Sequence, residues 1–199
     1  MKEESLHPID FHFHEVSKNT IFGFWVYLMT DAIMFATLFA TYAVLRNNTN
    51  GGPLASQLLS LPYALGETML LLGSSLTCAI AMLCLAKGHK MKTMGWYGVT
   101  FLLGALFLAM VFSEFQDLIQ SGNGWGRSAF LSSYFTLVGT HALHIAFGLL
   151  FMAVFLYELY RQGIVPTTLR RLTCLKLFWF FSYFIWIFMF AIIYLVGAT

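Results

Sequence analysis

Asp31, His141 and His144 have side chains that can bind and release protons, yet each lies within a long apolar run of the chain. A charged or titratable group in such surroundings is costly unless it is paired or useful. His141 and His144 are spaced i and i+3, so they share one helix face. Such a pair can coordinate a metal, relay a proton or hydrogen-bond a neighbouring helix. A metal site needs three or four ligands, and the apolar runs contain no other histidine. A hydrogen-bonded pair without metal is therefore the expected arrangement. His7, His12 and His14 belong to a polar N-terminal stretch, where chance metal affinity would carry no function. Glu67 and Glu114 fall near the ends of apolar runs, and Glu158 lies close to Arg161. Interface solvation or a local ion pair accounts for these three. Cys78, Cys84 and Cys174 form no C-x-x-C or other paired motif, so neither a metal knuckle nor a disulfide framework is indicated.

The elements that must position these residues follow from composition. Hydrophobic residues make up 59% of the chain and charged residues only 10%, against about 25% charged in a soluble domain. A chain of 199 residues folded in water could not hide so much apolar surface. The excess must face lipid. Net charge is +2 with no basic run, which gives no footprint for nucleic acid.

Five apolar stretches stand out, Ile21–Leu45, Leu61–Ala86, Met94–Leu118, Ala129–Leu159 and Leu175–Val196. Each reaches the roughly 20 residues that cross about 30 Å of hydrocarbon. The fourth exceeds it, so it must tilt or project. The predicted fold is all-α, a polytopic bundle of five transmembrane helices. Residues 1–20 form a polar tail and residues 21–199 a single membrane domain. Polar or turn-forming connections are expected at Asn47–Pro53, Lys87–Lys92, Gln120–Arg127 and Arg161–Arg171. The first stretch is too long for a cleaved signal peptide, whose apolar region spans about 7–15 residues. Asn19 or Thr20 can cap the first helix, and Pro62 suits the opening turn of the second. Small-residue stripes at Gly66, Gly73, Ser74, Thr77 and Ala81, and at Ser132, Thr136, Gly139 and Thr140, are expected to let helices approach closely.

With alternating helices, nine of the 11 Lys and Arg fall on the side of the N-terminus. Only Arg46 and Arg127 fall on the other. This asymmetry places the N-terminus in the cytoplasm and the C-terminus in the periplasm. Asp31 then lies about 14 Å deep at 1.5 Å per residue. The His pair enters from the opposite side to a neighbouring depth, so a buried Asp–His contact is expected.

Beyond these physical readings, Phe22-Gly23-Phe24-Trp25-Val26-Tyr27-Leu28-Met29-Thr30-Asp31 resembles the first helix of the five-helix subunit III of cytochrome bo-type quinol oxidases. Phe39–Leu45, Gly51-Gly52-Pro53, Glu67-Thr68 with Leu70–Ser75, and Glu114-Phe115 continue the resemblance. So do Val138-Gly139-Thr140-His141-Ala142-Leu143-His144, Cys174–Trp179 and the closing Tyr194-Leu195-x-Gly197. The likeness runs in order from Ile21 to Gly197. One departure stands in the last helix, where the family usually carries Trp-His-Phe-x-Asp-x-x-Trp. Trp179 and Trp186 are kept, but Phe180 and Tyr183 replace the His and the Asp.

The resemblance implies an accessory subunit of a bacterial terminal oxidase in the inner membrane, a complex that oxidises ubiquinol, reduces oxygen to water and pumps protons. Haems, copper and the quinol site would belong to the large subunit I, with subunits II and IV as further partners. This chain would carry no cofactor and no catalytic residue. Two haems and a copper would need about six intramembrane histidines, and the apolar runs hold two. The resemblance further implies bound phospholipid in a cleft between helix groups and support of proton uptake. Asp31, His141 and His144 are the candidates for a proton-related or structural role; Glu67, Glu114 and Trp179 are candidates for polar or lipid-cleft roles. The alternatives are subunit III of a menaquinol or cytochrome c oxidase, a free-standing transporter, and an intramembrane enzyme. No internal repeat favours a transporter, and neither a His-cluster desaturase nor a serine protease finds its residues, Gly73-Ser74 being a thin match. The charge asymmetry makes the topology testable. A reporter active only in the periplasm should work when fused after Thr199 or within Asn47–Pro53, and be silent within Lys87–Lys92. The reverse pattern would overturn the orientation.

Overall fold

The computed structural model of the chain describes residues 8–51, 58 and 60–195. Five long helices carry the fold, α1 (Pro8–Leu45), α2 (Leu61–Ala86), α3 (Lys90–Gln120), α4 (Ala129–Gln162) and α5 (Pro166–Met189), the last running on into a π-helical turn, Phe190–Leu195. Among the described residues there is no strand. All five are long and apolar enough to cross a membrane. The chain is a multi-pass membrane protein of the predicted all-α kind.

Several boundaries differ from those expected. α1 begins at Pro8, so residues 8–20 continue the first helix instead of forming a tail, and Asn19 and Thr20 lie inside it, where they cannot cap it. Proline fits a first helical position because its N–H would lack a partner there anyway. Residues 1–7, with His7, lie outside the described residues, as do Gly52, Pro53 and 196–199. α5 likewise starts at Pro166, not at Leu175, which reduces the expected Arg161–Arg171 connection to Gly163–Val165. Arg170 and Arg171 thus sit on helix. Pro62 does occupy the opening turn of α2. Gly163 ends α4 with φ 76°, a left-handed conformation that favours glycine. Ser128 caps α4 by accepting the Leu131 N–H at 3.2 Å.

α2, α3, α4 and α5 close a ring in which each packs on the next and α5 returns to α2; α1 lies outside it against α4 and α5. Trp179 fills the ring's centre because two glycines make room. A Cβ on Gly104 would lie 2.9 Å from the Trp179 ring, and one on Gly148 would lie 2.9 Å from Phe178 and 3.1 Å from Trp179. The small residues of α2 do face the interior, Ser74, Thr77 and Ala81 all being buried. The α4 stripe does so only in part: Ser132 and Thr136 are exposed on the perimeter, whereas Gly139 and Thr140 are half-buried. Thr136 and Thr140 donate to carbonyls one turn earlier at 2.8 and 2.7 Å, which leaves no hydroxyl hydrogen bare toward lipid.

Gly104→Ala or Gly148→Ala should therefore destabilise the bundle by about 1–3 kcal/mol through overpacking. Gly23→Ala, at a site open to the surroundings, should be neutral or slightly stabilising. Thermal-unfolding midpoints in detergent distinguish the three variants.

Candidate functional site

Asp31 on α1 and His144 on α4 meet where α1 leans on the ring, Nε2 and Oδ2 being 3.4 Å apart. Both side chains are largely enclosed, 13% and 15% exposed. The contact is close enough for Coulomb attraction but is not aligned as a hydrogen bond. The other ring nitrogen, Nδ1, lies 3.0 Å from the Thr140 carbonyl oxygen, which can only accept, so Nδ1 carries a hydrogen. Nε2 is then the atom whose protonation is open. A proton on either atom would turn the repulsion between a bare Nε2 lone pair and a carboxylate into attraction. The His144 ring is stacked on Phe178 at 6.2 Å and meets Phe35 edge-on at 5.1 Å. These rings hold it toward α1.

His141, one turn earlier, points elsewhere. Its Nε2–H donates to the Ser182 carbonyl on α5 at 3.0 Å, which leaves Nδ1 as a buried acceptor without a donor. The ring is packed between Phe107 at 5.9 Å and Trp186 at 5.3 Å. The two histidines share a helix face but serve different helices, His144 facing α1 and His141 facing α5. No three His, Cys, Asp or Glu converge on one point among the described residues.

A second polar cluster occupies the end of the ring where α2 begins and α3 ends. Glu67 is 0% exposed, so it is not solvated at the interface, and neither carboxyl oxygen has a hydrogen-bond partner. Glu114 is 9% exposed and accepts from the Tyr194 hydroxyl, 3.3 Å from each of its oxygens. The Tyr134 hydroxyl is 3.3 Å from that of Tyr194. Trp179 is buried at the ring's centre and donates from Nε1 to the Ser74 hydroxyl at 3.1 Å. Glu158 does form an ion pair, but with Arg171 across on α5 instead of the neighbouring Arg161. Phe180, where the resembling pattern has His, lies beneath the Lys176 ammonium at 5.9 Å. Tyr134 and Tyr194 escaped the sequence reading as site residues. Tyrosines are common near membrane interfaces, and nothing in their spacing marks these two; Tyr194 was visible only as part of the closing string.

Five helices long and apolar enough to cross a membrane, with titratable groups buried among them, define a class, that of polytopic membrane proteins. The sequence model of the cytochrome c oxidase subunit III family matches residues 3–198. The chain belongs to this family. It is 51% identical to the cytochrome bo(3) ubiquinol oxidase subunit 3 of Pseudomonas aeruginosa, over 94% of this chain and 90% of that one. It is 48% identical to the protein of the same name from Pseudomonas putida, over 93% and 89%. It is 39% identical to the cytochrome c oxidase subunit 3 of Bacillus sp. PS3, over 92% and 88%.

The Asp31–His144 contact separates two roles by substitution. Asp31→Asn keeps shape and hydrogen bonding but cannot share the proton, whereas Asp31→Leu removes both. If the shared proton matters, Asn should slow turnover at alkaline pH or shorten its lifetime in a complex that still assembles. If the contact serves packing alone, Asn should be silent and Leu should release the chain from its complex. Normal assembly, rate and lifetime in both variants would show that Asp31 does neither.

Proposed function

We propose that this chain is the accessory third subunit of a proton-pumping ubiquinol oxidase of the haem-copper type in a bacterial inner membrane. The observation that carries the reading is the 51% identity, over nearly the whole chain, to a protein named as subunit 3 of a ubiquinol oxidase. Quinol oxidation and oxygen reduction would take place on the large subunit, which would bear the haems and copper. Subunits II and IV would complete the complex. Residues 21–199 would act as one membrane domain, its N-terminus cytoplasmic and its C-terminus periplasmic.

The fold offers support for such a role. α1 stands apart from α2 and α3, and Phe22, Val26, Met29 and Ile33 on it are exposed. Isolated in lipid this face would need no cover; against a large subunit it supplies a docking surface, and phospholipid would fill the remaining cleft. The Asp31–His144 pair lies beneath that helix, where a shared proton would assist proton uptake by the neighbour. The 39% identity to a cytochrome c oxidase subunit 3 favours a second reading, in which the complex takes electrons from cytochrome c.

Affinity purification through this chain in mild detergent tests both readings. The complex should contain a haem-bearing large subunit and oxidise ubiquinol, and the chain separated from it should show neither a haem band nor stoichiometric copper. A haem spectrum that stayed with the separated chain would refute the accessory role. A complex that oxidised cytochrome c and not quinol would establish the second reading.

A further inference from the structure

We propose that Glu67 and Glu114 form a proton-exchange site, Glu67 holding one proton as a neutral carboxylic acid and Glu114 connecting it to the membrane surface where α2 begins. The ligand is the proton itself, and the site is separate from Asp31 and His144.

The argument rests on the unequal surroundings of two carboxyls on facing helices. Glu67 is fully enclosed by the chain, and no N–H or O–H donates to either of its oxygens. An ionised carboxylate seeks several donors, and a bare charge at this place would be neither solvated nor paired. Glu67 shares its end of the ring with Glu114: Tyr63, one turn before Glu67, hydrogen-bonds Ser113, the residue before Glu114, at 2.5 Å. Glu114 differs in each respect. It accepts from the Tyr194 hydroxyl through both oxygens at 3.3 Å, and Tyr194 in turn adjoins the Tyr134 hydroxyl at 3.3 Å. It also retains 9% exposure, where Glu67 has none. Two carboxyls that repel one another in a poorly solvated site divide into an acid and a carboxylate. The donors decide that Glu114 is the carboxylate.

The titratable groups facing this site are Glu67 from α2, Glu114 from α3, Tyr134 from α4 and Tyr194 from the π-helical turn after α5. Arg127, at the same end, is engaged by the Asn123 side chain at 2.6 Å and by the Gly122 carbonyl at 3.2 Å. The hydroxyl distances of 3.3 Å exceed the usual O–H···O separation of about 2.7–2.8 Å. The tyrosine hydroxyls therefore hold Glu114 loosely. Exchange then moves one proton. The O–H bond at Glu67 breaks as one forms at Glu114; the negative charge passes to Glu67, and the reverse transfer restores the resting state. The π-helical turn fits this picture, since such turns recur where a helix must aim a side chain at a functional site.

Infrared difference spectra of the purified complex, wild type minus variant, test the assignment. The wild type should show the C=O stretch of a protonated carboxylic acid, shifted to lower frequency in D2O. Glu67→Gln should lose that band, and Glu114→Gln should keep it while slowing its exchange with D2O. Should Glu67→Gln fail to assemble, Glu67→Asp keeps the acid and should move the band. Absence of any band attributable to Glu67 in these comparisons would overturn the proposal. So would a band lost in Glu114→Gln but kept in Glu67→Gln, which would place the proton on the other carboxyl. The test reads a group of this chain and does not depend on which electron donor the complex uses.

Discussion

Every backbone polar group inside the hydrocarbon must find its partner within the protein, and the rest of this structure depends on that requirement. It forces the backbone into five helices whose hydrogen bonds are internal. It then sorts the side chains. Hydroxyls on the perimeter, such as Thr136 and Thr41, turn back on carbonyls of their own helix. Several polar groups in the interior link helices instead. Trp179 binds Ser74, Trp186 donates to Thr68 at 3.1 Å, and Thr77 pairs with Thr100 at 2.8 Å. In lipid, burying apolar surface between helices brings little gain over contact with acyl chains, so close packing and these bonds hold the ring together. The glycines at 104 and 148 matter for that reason, since they let the largest side chain of the core reach its hydroxyl partner.

Much of this was legible in the sequence, because the controlling signal is length of apolar run. α2 was expected at Leu61–Ala86 and is found there. The errors lie where polar residues continue a helix beyond the apolar core. Residues 8–20 and 166–174 carry charges, and charge is a poor guide to a helix end when the side chain can extend to the headgroups. Family membership was legible too, through the Gly-Phe-Trp and Gly-Thr-His-x-x-His strings, although Phe180 and Tyr183 depart from the pattern. Partner choice was harder to read. Depth counting placed Asp31 near the histidines but could not say which of them faces α1. Helix rotation decides it: His144 projects toward α1, while His141, three residues earlier, meets α5. Glu158 was misjudged for the same reason, since sequence proximity favoured Arg161 and the fold supplies Arg171.

The two polar clusters differ in what encloses them. Asp31 and His144 sit at the seam between α1 and the ring, so their surroundings depend on whatever covers α1. Glu67 and its tyrosine-linked partner are enclosed by the ring itself. A partner subunit can therefore alter the first cluster by docking, whereas the second is set by the chain alone.

Between them lies an aromatic layer. Phe107 meets Trp186 edge-on at 4.8 Å, and the His141 ring packs against both. Trp186 gives its only N–H to Thr68, next to Glu67 in sequence, and His141 gives its ring N–H to Ser182. Neither can pass a proton onward without breaking that bond, because indole nitrogen has no second site and the Ser182 carbonyl only accepts. The described side chains thus provide no continuous hydrogen-bonded route from Asp31 to Glu67. A bundle that must hold titratable groups in lipid gains from such a barrier, since a continuous chain of them across the membrane would offer protons a leak.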